Sequence, residues 1–574
     1  MQQKAPAVFR IVIPKKSANA AGRRPAYVSP ATQAMTLAIT GPTTINQTVA
    51  LTTSSGSCTS TLASTQCTLM LALAPGSYTA TVSTYDGYDT GTQTATGNML
   101  STGQNIAFTI LAGQANSIVM TLSGIPVQLL VIPLTPLTTA NGTNAYHLVG
   151  PGRHPFLVQT LDADGNIIVG PGAPTFTIGT PSGPLAATAV QPTTTSPNQF
   201  TLIPPATVGS GSASFAVQAT YAGQATDGCA QSGAVCGPIN VSVDMVRALV
   251  VVNCGTCITP NIGPDNVQIY ADGGTAPLQT ISGSFLHAPE YVIADASGNL
   301  FVANHATNNV VMLAAPYFAT LTTINSPGGL MAMAPDGTLY LADADNGDSV
   351  AVYLPPYTGA PAASSDPSGG FGQPYDLGIT VAPNGDLWLA DSYNGFIWKY
   401  AAPVTGNPSP AVVLTSDGSA VGLALDPSGN LFAGFSQGYQ VYKYTAPVTG
   451  ASSHTNISFS PHVTEALISD TAGNIYHAAW LCCSGPAPTT LYRVPAGATA
   501  QNAQIQISAN EPFYSGSKVT QLRSLGFGAN GIYVNDLGTG AGEPNIQEFS
   551  LDLSTRIYTI TTGLTQPWAF VVEP

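Results

Sequence analysis

Apolar and polar residues alternate with a period of two along most of this chain, in short runs separated by clusters of Gly, Pro, Asn, Asp and Ser. Such alternation puts one face of a strand inward and the other outward, and the clusters supply turns. No long stretch carries a heptad or a 3.6-residue apolar stripe, so helix is nearly excluded. The pattern predicts an all-β chain.

Its character changes in steps. Residues 1–34 read as a basic tail or linker with one β-like run, Val8 to Ile13. Residues 35–125 hold alternating runs such as Met35 to Thr40, Tyr78 to Ser83 and Ile118 to Leu122, the spacing of a small sandwich. The run Leu73-Ala-Pro-Gly-Ser-Tyr78 resembles the Pro-Gly-x-Tyr hairpin of carboxypeptidase-regulatory-like modules, which implies that Tyr78 packs inward and that the module is a spacer. Residues 126–246 form a second all-β unit, in which Phe156 to Leu161, Asp162-Ala-Asp-Gly-Asn166 and Ile167 to Val169 resemble the strand, turn and strand of bacterial immunoglobulin-like repeats. Asp162 and Asp164 open like a calcium loop, but the twelfth position is Ala173 and offers no bidentate carboxylate. A hairpin turn with Gly165 at positive φ is the reading adopted.

From residue 247 to 574 the sequence repeats at roughly 40 to 55 residues, the length of a propeller blade. Each copy has an apolar strand, a Gly turn and a second strand, as in Leu300-Phe-Val-Ala-Asn304, Leu339-Tyr-Leu-Ala-Asp343 and Leu387-Trp-Leu-Ala-Asp391. Leu249 to Asn253 matches a second strand with no inner strand before it, and Gln566 to Val572 matches an inner strand after which the sequence ends. Joined, they complete a seventh copy and leave no free sheet edge. The expected architecture is two immunoglobulin-like β-sandwich modules followed by a seven-bladed β-propeller with split-blade closure. The copies resemble NHL repeats and gluconolactonase-like propellers, and more distantly the virginiamycin B lyase type. The resemblance implies the fold and leaves the activity open, since propellers host scaffolds, receptors, lactonases and lyases.

Composition adds a location. Only 7% of residues are charged against 44% hydrophobic, with 59 Gly and 46 Pro, a balance suited to an exported surface coated in Thr, Ser, Gln and Asn. Six of the 14 basic residues precede Pro25, so the rest of the chain is more acidic than the net charge of -14 suggests. That body repels nucleic acid and anionic membrane. No apolar run reaches the length of a membrane span. Residues 1–24 lack the apolar core of a signal peptide, so the expectation is either a start that lies further upstream, the reading favoured, or export by another route.

The eight cysteines fall in local couples, Cys58 with Cys67, Cys229 with Cys236, Cys254 with Cys257, and Cys482 with Cys483. They read as short-loop disulfides of an oxidising compartment. Cys254 and Cys257 could be half of a zinc site, but no second such pair completes it. Cys482 and Cys483 are either a vicinal disulfide or two thiols.

Ligands of propellers gather at the channel mouth, so residues leading into inner strands are the ones to inspect. His287-Ala-Pro-Glu290 and His462-Val-Thr-Glu465 stand at matching offsets, and together could hold a divalent cation, calcium or magnesium. Gluconolactonase-like enzymes resemble one another in a Glu, Asn/Asp and Asp set on one metal, and the lyases in a His-x-Glu motif; here the spacing is His-x-x-Glu. Asp343, Asp345 and Asp348 form a denser acidic loop and a calcium candidate. Asn304, Asp391 and Asp536, with Asp343, recur at the ends of second strands, which a structural role in the turns predicts. His477 stands where other copies carry Val or Leu and is expected to be buried. The reading is an extracytoplasmic protein, secreted, periplasmic or on the cell surface. Its propeller binds an extracellular protein or carbohydrate, and the chain is a monomer. Rivals are a metal-dependent lactonase or lyase, and a purely structural envelope component.

Overall fold

The computed structural model describes residues 4–15, 28–170, 172–205, 211–220, 238–257 and 263–573, except for 316, 318–319, 326–328, 343–349, 359–360, 362, 366–377, 392–394, 405–408, 417, 419, 436–439, 460–462, 481–489, 499–504, 507–523 and 537–543. Strands and turns make up almost all of it, and the described residues contain no α-helix. Two compact units are present. One comprises Met1–Tyr146, His154–Ile203 and Ser212–Val243; the other comprises His147–Arg153, Pro204–Gly211 and Asp244–Pro574.

In the first unit, a four-stranded sheet orders Cys58–Ser60, Ser64–Leu73, Ala5–Pro14 and Asn116–Ile118. A five-stranded sheet orders Ile45–Ala50, Ala34–Thr40, Gly76–Asp89, Thr94–Ile110 and Ser123–Gly124. Phe9, Met35, Leu37, Tyr78 and Val82 share one core, and the Tyr78 ring stacks on Phe108 at 5.3 Å. The Tyr78 hydroxyl donates to the Ala74 carbonyl at 2.7 Å, so this inward aromatic keeps a partner for its polar end.

Residues 5–14 form a paired strand, where a basic tail or linker was expected. Ala5–Pro14 pairs antiparallel along its whole length with Ser64–Leu73 and parallel with Asn116–Ile118. Its Ala5, Ala7, Phe9, Ile11 and Ile13 are buried, alternating with less buried neighbours. The basic residues misled because Arg10 sits on the outward face of an otherwise apolar strand. Residues 16–27 lie outside the described residues.

The remaining sheets of this unit stack Phe156 on Phe200 at 5.0 Å, with Tyr146 and Phe215 edge-on to that pair. After His154–Leu161, the Asp162 carboxylate accepts the amides of Asp164 and Asn166, and Gly165 takes φ +73. Ile167 makes a single bridge to Leu161 where a full second strand was expected.

Among the described residues, the second unit holds seven four-stranded antiparallel sheets. The innermost strands of six are Pro289–Ala294, Leu330–Met333, Gly378–Val381, Ala420–Leu425, Val463–Ser469 and Leu525–Phe527. In the seventh, the closing sheet, Pro567–Val572 pairs with Ala248–Asn253, which continues to Asn266–Ala271 and Gln279–Ile281. Leu249 stands opposite Val572 and Val251 opposite Phe570. Each innermost strand packs on those of the sheets before and after it, and Pro567–Val572 meets both Leu525–Phe527 and Pro289–Ala294. The sheets therefore close a ring, the arrangement of a β-propeller. Second strands such as Leu300–Asn304 and Leu387–Asp391 are buried at every position because a neighbouring sheet covers each face. The cores lie in the seams, as where Phe301 and Ala303 meet Leu339, Leu341 and Tyr353. Trp388, Tyr442 and Tyr444 share another, and Trp398 and Tyr400 a third.

Candidate binding site at the mouth of the ring

Among the described residues, four innermost strands carry a β-bulge near their start, and the residue skipped in each ladder is Glu290, Val421, Glu465 or Trp568. A bulge re-aims one side chain out of the alternation of its strand. Two carboxylate residues thus occupy equivalent backbone positions in two sheets. The side chain of Glu465 and all of His462 lie outside the described residues.

Around Glu290 the mouth is well defined. Cys254 and Cys257 are joined by a disulfide, and their turn packs on Ala288 and Trp568, all at the end of the closing sheet where its innermost strand begins. Cys257 Sγ lies 3.7 Å from Glu290 Oε1. A β-carbon on Gly255 would collide with the Gly263 carbonyl, so only glycine lets the turn fold this tightly. Asp265 ties the pieces together: its carboxylate accepts Thr256 Oγ1 at 2.9 Å and the Ala288 amide at 2.8 Å. Ala288 itself is held at φ +49, a conformation that costs an L-residue roughly 1 kcal/mol or more. Gln566, 1% exposed, precedes the closing strand, and among the described residues neither its amide oxygen nor its nitrogen has a hydrogen-bond partner. The mouth thus carries one half-buried carboxylate on a braced frame, with the Gln566 amide buried beside the start of the closing strand.

His287 is exposed at the same edge, but its Nε2 is 2.8 Å from the Ser284 carbonyl, to which it donates. Among the described residues no three His, Cys, Asp or Glu side chains are placed to hold a metal ion. His287 and Glu290 therefore do not by themselves fit the metal that the resemblance to lactonases and lyases implies. The calcium candidates Asp343, Asp345 and Asp348 lie outside the described residues, as do Cys229, Cys236, Cys482 and Cys483. Cys58 and Cys67 are disulfide-bonded across two neighbouring strands.

Of the residues that end second strands, Asn304 bonds the backbone beside it. Asn304 accepts the His287 amide at 3.0 Å through Oδ1, and its Nδ2 donates to the Phe285 carbonyl at 2.9 Å. Asp536 accepts Asn545 Nδ2, and Asp391 is buried at its strand end. Replacing Asn304 by Ala leaves a part-buried amide and carbonyl unpaired, so a loss of about 1–2 kcal/mol is expected by denaturant unfolding. A merely solvated loop residue would change stability by less than about 0.5 kcal/mol. His477 is 1% exposed and stacks on Tyr492, and burial pushes its imidazole down to about 3.

At the other end of the innermost strands, two grooves of about 490 and 370 Å³ follow one another along successive seams. Pro335 and Asp336 form their common wall; Tyr357 closes the first and Pro403 the second.

Sequence reasoning missed Asp265, Gln566 and Trp568 as mouth residues. The shared proline of Ala288-Pro289-Glu290 and Gln566-Pro567-Trp568 was the available signal.

No protein-family model matches this chain, and no curated protein matches it. Among solved structures it is similar to virginiamycin B lyase from Staphylococcus aureus, at 13% identity over 46% of this chain and 82% of that one, with a TM-score of 0.35. It is also similar to a functionally unknown protein from Desulfotomaculum acetoxidans, at 10% identity over 57% and 98%, TM-score 0.43. A protein from Lactobacillus plantarum is similar at 13% identity over 57% and 99%, TM-score 0.41. Likeness of this depth carries no functional argument; the propeller assignment rests on the ring of sheets itself.

Proposed function

We propose that this chain is an extracytoplasmic binding protein, a seven-bladed propeller head carried on two immunoglobulin-like spacer modules. The observation that carries the reading is the braced mouth, where a disulfide turn, Asp265 and a strained Ala288 hold Glu290 in place. Preorganised polar groups on a rigid frame favour recognition, because little ordering is left to be done on binding. The disulfides Cys58–Cys67 and Cys254–Cys257, with a surface poor in charge, support an oxidising location. The second reading, a metal-dependent lactonase or lyase, is favoured by the equivalent bulges at Glu290 and Glu465.

Elemental analysis of the full chain, gel-filtered without chelator, separates the two. Binding alone predicts no stoichiometric metal and the same melting in EDTA as in calcium. One equivalent of calcium or magnesium, lost in Glu290→Gln and Glu465→Gln variants, would replace the binding reading with the enzymatic one. On an array of cell-surface oligosaccharides and extracellular proteins, the binding reading predicts a ligand whose retention falls at least about tenfold in Glu290→Ala, the loss of one charged hydrogen bond at about 1.4 kcal/mol per decade.

A further inference from the structure

The closing sheet meets its two neighbours across seams that each bury an acid. On one seam, Glu548 belongs to Asn545–Phe549, the third strand of the preceding sheet, and is 0% exposed. Among the described residues neither of its carboxyl oxygens has a hydrogen bond of good geometry, and the amides of Asn530 and Gly531, which point at it, favour the ionised form less than burial opposes it. Its cross-strand neighbours are Tyr533 and Tyr558. Opposite stands Asp272, in the turn after Asn266–Ala271 of the closing sheet, which accepts the Tyr533 hydroxyl and the Ala529 amide, each at 2.6 Å. A β-carbon on Gly528 would sit 2.8 Å from Glu548 Oε1 and 2.9 Å from Asp272 Oδ1, so only glycine leaves room for the two carboxyls to share this space. Arg247 acts on Asp272 and donates to the Phe527 carbonyl at 3.4 Å. That guanidinium argues against a metal cation between the acids.

On the other seam, Glu573 follows Pro567–Val572 directly and is 0% exposed, its amide bonded to the Ala248 carbonyl. The Tyr317 hydroxyl, from the segment after Asn309–Leu313 of the next sheet, lies 2.9 and 2.8 Å from its two oxygens. Asp295 is the other charged group that bears on it, and a β-carbon on Gly150 would lie 2.9 Å from Oε2. Among the described residues, no cation pairs with Glu548 or Glu573.

We propose that closure of the ring is proton-linked: the closing sheet is held against both neighbours by buried carboxyls that need a proton to remain there without a partner charge, so acid fastens the ring and alkali loosens it. A buried carboxylate without a cation is costly, and protonation removes the cost. Burial, reinforced by Asp272, pushes Glu548 up to about 7, and burial pushes Glu573 up to about 8. Burial also raises Asp272. Because these groups keep their protons to higher pH when folded, their contribution is complete below about 4.5 and is lost as pH rises through about 7 and 8. His477 works in the opposite sense, and only below the ordinary histidine value of 6.5.

The test is the melting temperature of the full chain between about pH 6.5 and 9, a range in which His477 stays neutral and the tyrosines keep their protons. The ring transition is expected to fall by on the order of 5 °C or more. Glu548→Gln and Glu573→Gln should each remove part of the fall, and the double variant most of it. Tyr317→Phe takes a hydrogen bond from the ionised Glu573 and should move the fall to higher pH. A double variant with the wild-type slope, or a wild type that melts identically across the range, overturns the proposal. If the glutamine variants do not fold, unfolding the wild type in weak buffer at pH 6.5 decides. A net release of about one proton supports the linkage, and no release, or uptake, overturns it.

Discussion

Removing Thr565–Pro574 is expected to abolish the cooperative melting of the ring. Those residues supply the innermost strand of the closing sheet, paired with Ala248–Asn253 and packed on the innermost strands of both neighbours. The deletion strips Trp568, Ala569 and Phe570, each less than 9% exposed, from the seams. It also uncovers Leu249 to Val252, all at 0% exposure in the intact ring. Losing a buried aromatic alone costs about 3–5 kcal/mol, and a whole strand exceeds the 5–15 kcal/mol that holds a typical domain together. An open sheet edge would invite association as well. Calorimetry of the truncated chain should keep the transition of the first unit and lose that of the ring. Two unchanged transitions would show that the closing strand is dispensable.

The second large effect lies at the other end. Deleting residues 1–14 is expected to unfold the sandwich that contains Phe9, because Ala5–Pro14 is an interior strand between Ser64–Leu73 and Asn116–Ile118. Phe9→Ala tests the same point more gently. The ring is 0% exposed and edge-on to Phe108 at 5.9 Å, so a loss of about 3–5 kcal/mol is expected in denaturant unfolding. A tether would contribute nothing, and a deletion that leaves the melting of this unit unchanged would restore the tail reading.

The fate of that segment shows where local reading ends. Val8 to Ile13 carried a strand signal, but its partners lie some sixty and a hundred residues away, and the neighbouring Lys and Arg residues resembled a linker. The ring was far more legible. Every sheet solves the same problem, burying both faces against copies of itself, so each copy repeats the same apolar and turn residues and the incomplete copy at each end announces the closure. The mouth was half legible: the offsets of Glu290 and Glu465 were visible, and the bulges that set their positions were not, because a bulge is a property of a pair of strands.

By itself, the sequence determined the all-β class, the repeating sheets and the joining of Ala248–Asn253 with Pro567–Val572, since all of these follow from period, turn residues and what each strand lacks beside it. Only the tertiary structure decided which of the few charged residues lose water. Glu548 meets Asp272 across a seam, and Glu573 meets Tyr317 across another, through separations of more than two hundred residues. Burial and the sign of the nearest charge set the protonation of such groups, and both are properties of the assembled ring.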